Sequence, residues 1–109
     1  TTYKIIIDPI DVQTYDRATI QIRDTDGSIA FTAQVFGTLF GAPATVGTAA
    51  AAGSHWAQIG DDISVTASSG VLKSISTTGL RQLCVRIKSA SGTPAIGDGN
   101  CIVFLQGTI

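Results

Sequence analysis

The chain has 109 residues, a formal net charge of -1 and 14% charged residues, against about 25% in an average soluble domain. That length suits one domain over residues 1–109, and the near-zero charge excludes the electrostatic footprint of a nucleic-acid or acidic-membrane binder. No apolar run reaches the roughly 18 residues of a membrane span, and two cysteines do not make a disulfide framework, so synthesis in a cytosol and folding independent of oxidation are expected.

Residues 3–10 contain Ile5, Ile6 and Ile7 in succession. A continuous β-branched run fits a strand buried on both faces or docked on a neighbouring chain, and Pro9 puts its end at a sheet edge. Residues 11–16 are polar and read as a loop. Residues 18–23 alternate, with Ala18, Ile20 and Ile22 against Thr19, Gln21 and Arg23. Asp24-Thr25-Asp26-Gly27 then reads as a hairpin turn, with residues 29–36 as the return strand and Phe31, Ala33 and Val35 on one face.

Residues 39–55 are rich in Gly, Ala and Thr. The Ala run at 49–52 is too short to nucleate a helix, so this segment is expected to be a long loop of the kind that is functional or covered by a partner. Short strands are expected at 56–59 and 63–66, around a turn at 60–62. A further strand at 71–76 sets Val71, Lys73 and Ile75 on one side and Leu72 on the other. Residues 79–88 carry the clearest signal: Leu83, Val85 and Ile87 alternate with Gln82, Cys84, Arg86 and Lys88, the pattern of a central strand with one buried and one solvated face. After a loop at 89–100, residues 101–106 form a closing strand that is apolar at nearly every position. About eight short strands separated by turn signals predict an all-β fold, a single antiparallel β-sandwich or jelly-roll-like domain.

From Gly27 to Gly60 and again from Gly99 to Ile109 there is no Asp, Glu, Lys or Arg. Interface cores are poor in charge, so these segments are expected to be covered by other subunits. Ile5, Ile6, Ile7, Leu39 and Phe40 are the candidate assembly contacts. The competing reading is a neutral Thr/Ser/Gly surface.

No catalytic constellation emerges. Asp24 to Gly27 opens like a calcium loop, but the acidic ligands and terminal Glu such a loop needs do not follow. Asp61 and Asp62 are adjacent and point apart on an extended chain. His55 is the single histidine, without a second ligand at metal spacing. Trp56 is either a core residue or a stacking platform for a sugar, with Tyr3 or Tyr15 as further candidate platforms. Cys84 and Cys101 approach one another if the last two strands form a hairpin; cytosolic synthesis favours free thiols, with a disulfide as the alternative. Arg81, Arg86 and Lys88 read as a solvated strand face. No enzyme activity, cofactor or metal is expected.

Four motifs taken together resemble the small β-sandwich structural proteins of tailed bacteriophages. They are Gly53-Ser54-His55-Trp56, Gly79-Leu80-Arg81-Gln82, Val85-Arg86-Ile87, and the closing Val103-Phe104-Leu105-Gln106-Gly107-Thr108. The match covers about the C-terminal half. It departs from the pattern where Gly53-Ser54-His55 replaces an Asp-Gly before the Trp, and in the Ala-rich loop. The resemblance implies a virion component made in the host cytoplasm. The type expected is a capsid cement or decoration protein whose partners are the major capsid protein and copies of itself, as a homo-oligomer such as a trimer. The alternative is a tail or fibre carbohydrate-binding module using Trp56.

Overall fold

The computed structural model describes residues 3–25, 29–39, 56–89 and 99–107. Among them are eight strands: β1 (Tyr3–Asp11), β2 (Arg17–Asp24), β3 (Phe31–Thr38), β4 (Ala57–Gln58), β5 (Ile63–Val65), β6 (Gly70–Ser76), β7 (Gln82–Ser89) and β8 (Gly99–Gln106). They form two antiparallel sheets. One runs β1-β7-β3-β4, with β5 also paired to β3, and the other runs β6-β2-β8. The expected all-β sandwich of about eight strands is what the chain forms.

The alternating strands build the core. Ala18, Ile20 and Ile22 of β2 meet Phe31, Ala33 and Val35 of β3 and Leu83, Val85 and Ile87 of β7, all buried between the sheets. Each of the larger of these side chains, Ile, Val, Leu or Phe, contributes about 1.5–3 kcal/mol on leaving water. β7 is central in the five-stranded sheet, flanked by β1 and β3, as expected, but it is buried on both faces rather than one. Gly79 introduces it from the left-handed region (φ +85°), where other residues are strained.

The expected hairpin of β2 and β3 does not exist, nor does one of β7 and β8. β2 and β3 belong to different sheets, and so do β7 and β8. Cys84, opposite Phe36 in the large sheet, is therefore separated by a layer from Cys101, opposite Ile22 in the small one. Both thiols are free.

β1 is an edge strand, as Pro9 suggested, and pairs with β7 of its own chain. Register shifts between Ile5 and Ile7, and between Ile7 and Ile10, break its ladder. The first shift explains the isoleucine run: Ile5 faces Arg86, while Ile6 and Ile7 both pack against the core. Each is half-buried rather than covered on both sides. The polar 11–16 segment hides a core residue. Val12 is fully buried, its N–H donates to the Arg81 carbonyl at 2.9 Å, and buried Thr77 ties the same loop down by donating its hydroxyl to the Tyr15 carbonyl at 3.0 Å.

Candidate functional site

The sandwich has two outward faces. On the five-stranded sheet, β3 and β7 place Gln34 and Phe36 beside Cys84 and Arg86. The sequence pattern gives these positions the correct parity but assigns Arg86 and Cys84 to solvent. They are buried, at 8% and 1% exposure, because Trp56 packs with Phe36 and Cys84 and the Tyr3 ring lies 3.9 Å from the Arg86 guanidinium carbon. The Phe36 ring sits 5.0 Å from the same guanidinium, so Arg86 contacts two aromatic rings, contacts worth about 0.5–2 kcal/mol each.

Gln34 links the polar side chains at the centre of this face. Arg86 Nε donates to Gln34 Oε1 at 2.8 Å. Gln34 Nε2 donates to Asp62 Oδ1 at 2.8 Å and to Gln58 Oε1 at 3.3 Å, and Gln58 Nε2 donates to Asp62 Oδ1 at 2.7 Å. Lys88 Nζ lies 3.2 Å from Asp62 Oδ2. The amide of Gln34 and then that of Gln58, with the Lys88 ammonium, stabilise the carboxylate and hold Asp62 at about 2 against an ordinary 3.8, overcoming the opposing effect of burial. Burial pulls the Arg86 pKa down, with Tyr3 opposing. Burial also pushes both Cys84 and Cys101 up to about 12, so neither is a thiolate nucleophile at neutral pH. Asp62 therefore serves as the acceptor of an amide network.

Trp56 is 6% exposed, the core reading of that residue. Its ring faces Phe36 and Cys84 and presents no stacking platform. Its indole Nε1 is buried without a hydrogen-bond partner among the described residues. Tyr3 lies under Arg86, and Tyr15 is exposed. Asp24 is buried and accepts from the Ser68 N–H at 2.9 Å, which makes it an anchor for the 66–69 turn; Asp26 and Gly27 lie outside the described residues. No cluster of three or more His, Cys, Asp or Glu side chains able to hold a metal occurs among the described residues.

The face of the three-stranded sheet is the reverse. Leu72, Ile102 and Phe104 are 66%, 64% and 61% exposed. Register brings them together: Gln21 of β2 lies between Leu72 and Ile102, and Thr19 lies between Ser74 and Phe104. A pocket lined by Gln21, Arg23, Asn100 and Ile102 borders the patch. Cys101, Val103 and Leu105, of opposite parity on β8, pack against the core. This face was legible in the sequence as an apolar residue out of phase in β6 and a strand apolar on both parities, but neither signal says which side is wet.

Among the candidate assembly contacts, Ile5, Ile6 and Ile7 lie in β1 and Leu39, 67% exposed, follows β3. β7 separates those two strands, and neither group is on the sheet that carries the Leu72, Ile102 and Phe104 patch. Phe40, His55 and the Ala49 to Ala52 run lie outside the described residues. The charge-free stretch from Gly27 has an internal explanation over β3, whose residues are nearly all buried within the chain itself.

No family model, curated protein or solved structure matches the chain.

Proposed function

We propose that this chain is a non-enzymatic structural protein of a tailed-phage virion, a cement or decoration protein that binds the assembled capsid and stabilises it. The observation that carries the reading is the exposed Leu72, Ile102 and Phe104 patch, because apolar surface of this kind on a small domain marks a protein contact. Thr19, Gln21 and Ser74 lie between and beside these side chains and desolvate at lower cost than charged groups, while Arg17 and Arg23 stand at the two ends of the face. Apolar burial there contributes about 25 cal/mol per Å², less the ordering of side chains on association. Many copies on one shell would multiply a weak contact. The major capsid protein is the expected partner and the virion the expected location.

The motifs that carry the phage resemblance sit on this framework: Gly79 to Gln82 leads into β7, Val85 to Ile87 is its middle, and Val103 to Gln106 belongs to β8. Burial of Trp56 removes the main platform from the carbohydrate-module reading.

The test compares phage particles with and without this protein under heat or low salt. Particles lacking it should lose their contents at lower temperature, and Phe104→Asp should reduce attachment. Equal robustness, or labelling found only at the tail tip, overturns the reading. Deleting residues 1–7 is a poor probe, since β1 is needed to cover the edge of β7 in its own sheet.

A further inference from the structure

A sheet edge carries unpaired backbone donors and acceptors, and proteins normally protect it with charges, proline, bulges or brevity. The edges here differ in how far they are protected. β1 has Lys4, Asp8, Pro9 and two register shifts. β6 has an exposed Lys73 at its centre. β4 and β5 are two and three residues long. β8 has none of these. It is eight residues long, holds no charge and no proline, and pairs with β2 at eight consecutive positions without a shift. Among the described residues nothing pairs with its other side.

The strand is also chemically palindromic about Val103. Asn100 and Gln106 are amides, Cys101 and Leu105 pack on the core, and Ile102 and Phe104 are the exposed apolar pair. We propose that two copies of this chain pair β8 with β8 in antiparallel fashion about a twofold axis at Val103, fusing two three-stranded sheets into one of six strands. In that register Ile102 lies opposite Phe104 of the second copy and Phe104 opposite its Ile102, while the amides of Asn100 and Gln106 face each other at both ends. A twofold contact requires a self-complementary surface, and strand addition supplies backbone hydrogen bonds with side-chain pairs setting the register.

Arginine repulsion does not oppose the contact. Arg17 lies beside Gln106 in one copy and Arg23 beside Asn100 in the other. Three strand spacings separate them, about 14 Å, beyond the Debye length of about 8 Å at physiological salt. The pairing also joins two apolar patches into one continuous twofold surface. It stands independently of capsid binding, because sedimentation reads the isolated chain and particle assays read attachment.

Sedimentation of the full chain over a concentration series tests it, with circular dichroism confirming that each variant stays folded. The native chain should form a dimer. Ile102→Lys, at an exposed position on the edge strand, should weaken the dimer about tenfold or more through lost apolar pairing and introduced charge. Leu72→Lys lies on the same face but on β6, two strands from the contact, and should leave dimerisation unchanged. Val103→Cys places a thiol on the axis and should give an intermolecular disulfide on mild oxidation, whereas Cys101 of the native chain should not. A monomer at every concentration overturns the proposal, as does an Ile102→Lys chain that dimerises like the native one. Equal weakening by Leu72→Lys overturns it in favour of face-to-face stacking, and absence of the Val103→Cys cross-link in a dimer overturns the register.

Discussion

On the outward face of the five-stranded sheet a guanidinium, an amide and a tryptophan are buried, while on the outward face of the three-stranded sheet a leucine, an isoleucine and a phenylalanine stand in water. Both faces belong to the same sandwich, and their burial runs opposite to their polarity. The difference lies in what covers them. Tyr3 from β1 and Trp56 beside β4 close over the large sheet, and the buried polar groups beneath are tolerated because Gln34 bonds to Arg86, Asp62 and Gln58 together. No described strand closes over Leu72, Ile102 and Phe104. One face thus uses its side chains for the stability of the domain, and the other leaves them exposed.

The largest effect that would break this comparison is truncation of a phenylalanine on each face. Phe36→Ala should cost about 3–5 kcal/mol, since it opens a cavity beside Trp56 and Cys84. Phe104→Ala should change stability by no more than about 0.5 kcal/mol. Urea denaturation of the two variants checks it, and similar losses would mean that the small sheet's face is covered after all. Next in size, Arg86→Met should destabilise by about 2 kcal/mol, because Gln34 Oε1 loses its buried donor and the Tyr3 ring its cation.

The thiols sharpen the contrast without a mutation. Cys84 and Cys101 are held protonated up to about 12, whereas an unfolded cysteine ionises near 8.5. The unfolded chain then binds fewer protons between these values, so stability should fall as pH rises from about 9 towards 12. At pH about 8 both thiols should resist a thiol reagent until denaturant is added. Rapid native labelling of Cys84 would show that the Trp56 cover opens.

The smallest effect concerns Asp62. Its folded pKa is depressed to about 2 from 3.8, so its contribution is present above the unfolded value and is lost as pH falls from about 4 through 2. The side chain is 45% exposed, so Asp62→Asn should cost under about 1 kcal/mol at neutral pH after solvent screening. The variant should also show a flatter stability profile below pH about 4. An unchanged acid profile would place the acid sensitivity elsewhere.

The sequence by itself determined where strands form and which side chains share a face. Ala18, Ile20 and Ile22, then Phe31, Ala33 and Val35, then Leu83, Val85 and Ile87 all point inward as their spacing requires, because side-chain direction in a strand is a local, two-residue property. Tertiary structure alone decided which strands are neighbours. Neighbouring strands with a turn signal between them looked like hairpins, yet β2 and β3, and β7 and β8, are divided between the sheets, since pairing is chosen by the fit of both sheets around one core. The same limit explains two charge-free strands of opposite fate. β3 lies inside its sheet and is buried on both faces, while β8 lies at an edge with Ile102 and Phe104 exposed. Composition records that a segment lacks charge, but whether that segment is covered depends on its neighbours, and no described strand covers Ile102 and Phe104.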